Sequence, residues 1–276
     1  MGTHLSIDEV ALSQGELFTI ITNKKARGKK GCLVAIVAGT KADQVIEHIS
    51  KIDYKKRSCV QEITLDMANS MKLISKRCFP KAMQVTDRFH VQKLALEALQ
   101  EIRIKYRWEA MDAENRLILQ AKRESKTYIP ELLSNGDSVK QLLARSRYVL
   151  YKSREKWTES QNERAQILFS LYPDIKTAYR LVQQLRGIYN NYNNKHIAMT
   201  KLAHWFRNVE ESGFKNFNIL LNTITINYQS ILNYFDNRST NASAESFNAK
   251  VKAFRSQFRG VRNVDFFLFR LSNLFG

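Results

Sequence analysis

HLSIDEVAL, His4–Leu12, alternates apolar and polar side chains and predicts a β-strand. Asp8 stands inside it, on the side opposite Ile7, at a position where aspartate is disfavoured. LFTIITN, Leu17–Asn23, reads as a second strand, joined to the first by the turn residues Ser13–Gly15. KKARGKKG, Lys24–Gly31, is a basic, glycine-bearing loop. The next run, CLVAIVA at Cys32–Ala38, is apolar throughout, which predicts a central strand covered on both faces. Lys41–Ile52 carries Val45, Ile46 and Ile49 at helical spacing. VQEITL, Val60–Leu65, is a fourth strand that runs into Asp66; Met67–Phe79 is helical and closed by Pro80. Ala82–Thr86 is a fifth strand, running into Asp87.

Three antiparallel strands, a helix, a strand, a helix and a strand give an α/β fold with the element order of a ribonuclease H-like mixed sheet. In that arrangement the first and fourth strands are neighbours, and Asp66 sits at a strand's C-terminal end, where open α/β sheets bind ligands. Asp8 and Asp66 are then expected side by side. Adjacent carboxylates repel, and a shared divalent cation relieves the cost. Oxygen ligands of this kind suit Mg²⁺ or Mn²⁺ rather than zinc. A plainer role is open to Asp66, as a strand-end acid capping the helix that follows.

The chain has 276 residues, 44% of them hydrophobic and 11% aromatic, enough for a substantial core. Its 44 Lys and Arg against 26 Asp and Glu leave a net charge of +18, which points to a polyanionic partner, nucleic acid before membrane. Cys32, Cys59 and Cys78 are odd in number and widely spaced, as expected of reduced thiols in a cytosol. No apolar run has the length of a membrane span and no signal-peptide pattern is present, so a cytoplasmic, nucleoid-associated protein is expected.

After Val91 the strand signals fade. Helices are expected over Val91–Glu124, Val139–Ser170, Ile175–Asn190, His196–Glu211 and Phe217–Phe235. Trp108, Trp157, Trp205, Tyr148, Tyr151, Tyr179 and Tyr189 are expected to fill this bundle's core, and a basic surface bearing Arg103, Lys105, Arg107, Arg145, Lys152 and Arg154 fits phosphate contacts. The last amphipathic helix falls within Asn241–Gly260, NASAESFNAKVKAFRSQFRG, with Phe247, Val251, Phe254 and Phe258 on one face. Asn241 or Ser243 is placed to cap it and Gly260 to stop it. Glu245 is a lone acid in its first turn, where it complements the helix dipole. Lys250, Lys252, Arg255, Arg259 and Arg262 are candidate phosphate contacts, with an ordinary solvated face as the alternative.

With these pieces placed, the chain resembles the DDE transposases of bacterial insertion sequences, the ISL3 group most closely. The resemblance covers nearly all of it and is carried by IDEVAL (Ile7–Leu12), TLDMANSM (Thr64–Met71), VTDRFHVQK (Val85–Lys93) and TNASAESFNAKVKAFRSQFRGVRN (Thr240–Asn263). It implies a catalytic core of residues 1–90 and 237–276, interrupted by an all-helical insertion over 91–236. It further implies a triad of Asp8, Asp66 and Glu245 holding two Mg²⁺ ions, for which Mn²⁺ substitutes. Asp87 and His90 match a D-x-x-H motif with a supporting role, and Asn241 and Asn248 flank the last acid. The implied activity is metal-dependent cleavage and strand transfer of DNA, acting on transposon ends and target, by a homo-oligomer on DNA. Relatives usually carry a zinc-binding and helix-turn-helix region ahead of the first aspartate. Only Met1–Ile7 stand there in this chain, so a separate end-recognition protein is expected. The alternatives are a non-enzymatic DNA-binding regulator and a ribonuclease H-like nuclease of hybrids.

Overall fold

A computed structural model describes residues 1–12, 15–258 and 263–276. The expected turn at Ser13 and the helix stop at Gly260 lie outside the described residues. The sheet is mixed. Strand β1 (His4–Ala11) pairs antiparallel with β2 (Leu17–Asn23), and β2 antiparallel with β3 (Leu33–Ala38). On its other side β1 pairs in parallel with β4 (Glu62–Leu65), and β4 in parallel with β5 (Met83–Thr86), giving the order β3-β2-β1-β4-β5. Parallel neighbours need a crossover, and here it is helical: α1 (Ala42–Ser50), the short α2 (Tyr54–Ser58) and α3 (Asn69–Cys78). One face of the sheet packs Leu5, Ile7, Ile63 and Leu65 against Val45 and Ile49 of α1 and Met71 and Ile74 of α3. Alternation in β1 dictates this, since Leu5 and Ile7 share a face and Ser6, Asp8 and Val10 take the other.

The residues fall into two compact units, one of residues 1–90, 193–195 and 223–276 and one of residues 91–192 and 196–222. The second unit is helical. Helix α4 (Arg88–Arg123) starts directly after β5, three residues earlier than its periodicity indicated. The single helix expected over Val139–Ser170 is two, α5 (Val139–Tyr151) and α6 (Glu159–Leu171). The break forms because Thr158 and Gln161 close a capping box that starts a new helix. Pro173 occupies the first position of α7 (Pro173–Asn191), where its missing N–H costs nothing. Helix α8 (Lys195–Ser212) follows, and the helix expected over Phe217–Phe235 is also two, α9 (Asn218–Ile226) and α10 (Tyr228–Asn237), divided at Asn227. Trp205, Tyr179 and Tyr189 are buried as expected, whereas Trp108, Tyr148 and Tyr151 are exposed at 60%, 68% and 38%. Arg103 is likewise no surface cation: it is buried, with its guanidinium on Gln100 and the Leu143 carbonyl. No described helix is long and apolar enough to cross a membrane.

The chain rejoins the first unit at Thr223, ahead of the expected boundary at 237. The reason is α10, which docks on β5. Asn233 Nδ2 donates to the Gln84 carbonyl at 2.9 Å, and the Ser230 and Thr86 hydroxyls lie 2.7 Å apart. Then α11 (Ala242–Gln257) and α12 (Val264–Phe275) cover the second face of the sheet. Phe247 and Val251 of α11 and Phe267 and Leu271 of α12 pack against Val10, Phe18 and Ile20. Strand β3 is an edge strand, not the central one its composition indicated. Its apolar run is explained by burial on both faces, Val37 in the first core and Leu33 in the second.

Phe247 is completely buried, so Phe247→Ala is expected to cost about 3–5 kcal/mol. Urea denaturation measures this; a loss below about 1 kcal/mol is incompatible with α11 seated on this core.

Candidate active site

Ser6 and Thr64 are paired in the parallel β1–β4 ladder. Asp8 and Asp66 each lie two residues beyond that last ladder pair, Asp66 just past the end of β4, and the Asp66 charge acts on the Asp8 carboxyl. Leu65 pairs with Thr86 in the β4–β5 ladder, which places Asp87 one step on, beside Asp66. Asp66 and Asp87 therefore follow the C-terminal ends of β4 and β5, and Asp8 lies within the neighbouring β1.

Asp8 is half-buried. Its Oδ1 accepts from the Glu9 N–H at 2.9 Å and its Oδ2 from Asn248 Nδ2 of α11 at 2.8 Å. Burial pushes its carboxyl up, and the negative charges of Asp66 and Glu245 push the same way, against the Glu9 N–H and His90. Glu9 is raised too, by burial and then by Asp66 and Asp8. Burial first, and then the neighbouring negative charges, thus outweigh the donors the site offers. Asp66 Oδ1 accepts from the Ala68 N–H at 2.9 Å in the turn ahead of α3; the N-cap of α3 is Ala68, without a side-chain cap, so Asp66 does not cap that helix. Asp87 is buried, and its Oδ1 accepts from the Phe89 N–H at 3.3 Å, at the start of α4. His90 is within electrostatic reach of Asp8.

Glu245 is exposed in the first turn of α11, close enough to Asp8 to act on its proton affinity. Asn241 holds the N-cap position but does not cap: it is buried, and both its side-chain polar atoms lack hydrogen-bond partners, as does the Oδ1 of Asn248. Among the described residues, no group of three or more His, Cys, Asp or Glu side chains is drawn together closely enough to hold a metal ion. In kind the donors fit a hard divalent cation: two aspartates within electrostatic reach of each other, and unpartnered amide oxygens nearby.

The cations expected along α11 divide. Lys252 is exposed. Lys250 Nζ donates to the Gly28 carbonyl at 3.2 Å, tying the helix to the basic loop. Arg255 is turned inward and buried, its Nε and Nη2 donating to the two carboxylate oxygens of Glu16 at 3.0 and 2.6 Å, which leaves no fork for a phosphate. Arg259 and Arg262 lie outside the described residues.

Sequence reasoning missed a second polar cluster on the same face. Glu62 is buried, with Lys24 Nζ on its Oε1 at 3.2 Å and Asn237 Nδ2 on its Oε2 at 3.1 Å. Lys24 also donates to Thr64 Oγ1 and lies within electrostatic reach of Asp87. Glu62 is an acid inside a strand, as Asp8 is, and the same argument would have flagged it. Burial pushes its carboxyl up, but hydrogen bonds from Ser239 and Asn237 and the charge of Lys24 more than reverse this and hold it below the usual range. Burial leaves Lys24 lowered despite Glu62, whereas Glu62 has the added donors Ser239 and Asn237 to offset its own burial.

Lys24→Met strands a buried carboxylate and is expected to cost about 3–5 kcal/mol at pH 7. The folded Glu62 holds its proton less tightly than the unfolded chain does, so the pair's stabilisation is full above the ordinary glutamate range and is lost as pH falls through the folded value. The gap between wild type and Lys24→Met should therefore narrow on acidification. Urea titrations at neutral and acid pH read it, and a gap that does not change with pH contradicts the pairing.

A family model described as transposase, that of the ISL3-type DDE transposases, matches residues 5–271. No curated protein and no solved structure matches the chain.

Proposed function

Because the chain belongs to the ISL3-type DDE transposase family, we propose that it is a catalytic core for divalent-metal-dependent DNA cleavage and strand transfer, built on a ribonuclease H-like sheet with a helical insertion. The observation that carries this reading is the parallel β1–β4 register, with Asp8 and Asp66 each two residues beyond its last pair and α11 tied to Asp8 and bearing Glu245. Asp8, Asp66 and Glu245 are the residues that would hold Mg²⁺ or Mn²⁺. Bound there, such ions supply an activated water or 3′-hydroxyl and stabilise the leaving oxygen.

The chain's own contribution is position. Asn248 and the Glu9 N–H each take one lone pair of Asp8 and fix its plane. Ala68 holds one oxygen of Asp66 and sets its direction. Glu245, exposed on the first turn of α11, would add a third carboxylate to the donors of a cation held there. Asp87 and His90 support the site from the start of α4. DNA ends and target are the substrates, and an oligomer on DNA is the working form.

The second reading, a DNA-binding regulator without catalysis, is favoured by one observation: the acids are not drawn into a closed cluster. Nicking of supercoiled plasmid in Mn²⁺ separates the two. Wild type should nick and Asp66→Asn should fall to background with duplex affinity unchanged; nicking by Asp66→Asn at the wild-type rate removes the assignment. Metal binding has its own readout. Mn²⁺ at about 100 times its Kd should stabilise the wild type by about 2.7 kcal/mol and leave Asp66→Asn nearly unmoved.

A further inference from the structure

In the helical unit, a groove of about 1430 Å³ opens between the segment that joins α5 to α6, α6 itself and α7. Its lining holds six cations, Lys152, Arg154, Lys156, Lys176, Arg180 and Arg186, against the single acid Glu155. No salt bridge among the described residues engages Arg154, Lys156, Lys176 or Arg180, and all four are exposed. Glu155 is within electrostatic reach of Arg154 and Arg186, which leaves one acid against six cations, and a groove that retains that excess is set for an anion supplied from outside.

The floor beneath these cations is fixed. Trp157 and Phe169 flank Tyr179, with ring centroids 5.5 and 5.4 Å from it, and the Tyr179 hydroxyl donates to the Lys152 carbonyl at 3.0 Å. Arg186 is held by the Tyr151 carbonyl at 3.0 Å. Gly187 completes the floor. It lies inside α7, where glycine is among the least favourable residues. Nothing in its surroundings demands a glycine, since an added Cβ would meet only Asn191 Nδ2 at 3.9 Å. A bare backbone at the bottom of a basic groove is what close approach by a ligand requires.

We infer that this groove binds the sugar-phosphate backbone of duplex DNA without reading sequence. The inference rests on the proposed DNA transaction and locates a second contact for it. Backbone neutralisation is read by salt: the slope of log K against log salt is about −0.9 per phosphate neutralised.

The test is fluorescence anisotropy of the full chain with a labelled duplex over a salt series. Replacing Arg154, Lys156, Lys176 and Arg180 by Gln is expected to weaken binding at least tenfold at moderate salt and to flatten the slope by about 3–4. Gly187→Leu keeps every charge but fills the floor, and is expected to weaken binding with a smaller change in slope. Circular dichroism confirms that each variant is folded; should the fourfold variant not fold, Gly187→Leu and the single change Arg180→Gln still decide. Wild-type affinity and slope in folded variants overturn the inference, as does polyglutamate binding as tightly as DNA, which would assign the groove to an acidic protein. Asp66→Asn keeps these outcomes apart from the catalytic reading: it should lose nicking and keep the full salt slope.

Discussion

The parallel pairing of β1 with β4 is the constraint from which the rest of the first unit follows. It is held by apolar residues on one face, Leu5 and Ile7 beside Ile63 and Leu65. Sliding β1 by one residue would turn Asp8 into that core and Ile7 toward the acids, because side chains alternate along a strand. Burying an unpaired carboxylate there costs several kcal/mol. The same burial that stabilises the sheet therefore fixes where its carboxylates stand.

The opposite face shows how a basic helix is seated on an acidic site. Helix α11 rests on Phe247 and Val251 and is pinned by three polar ties: Asn248 to Asp8, Lys250 to Gly28, and Arg255 to Glu16. Two of its cations are thus structural, and the remaining exposed cation among those described is Lys252. A buried ion pair on the same sheet face, Lys24 with Glu62, adds a positive charge within reach of Asp87. Charge near the acids is spent on architecture. In the helical unit, by contrast, six cations and a single acid line one groove.

The strands were legible because each announces itself locally, by alternation in His4–Ala11 and by short apolar runs ending at Asp66 and Asp87. The helices of the second unit were legible as helical but not in number, since capping at Thr158 and the break at Asn227 are single-residue events inside continuous apolar periodicity. Strand β3 was misplaced because periodicity reports that both faces are covered and not which neighbours cover them. Arg255 was misread for a related reason: an arginine on a helix face carries no mark of an acid 239 residues away.

By itself, then, the sequence determined the five strands in their order along the chain and the family, since these rest on local periodicity and short motifs. Only the tertiary structure decided that Arg255 faces inward, that Glu62 carries a buried lysine, that residues 223–236 return to the sheet, and that six cations line one groove. Those are pairings between distant residues, and their energy depends on burial and approach, which no local pattern encodes.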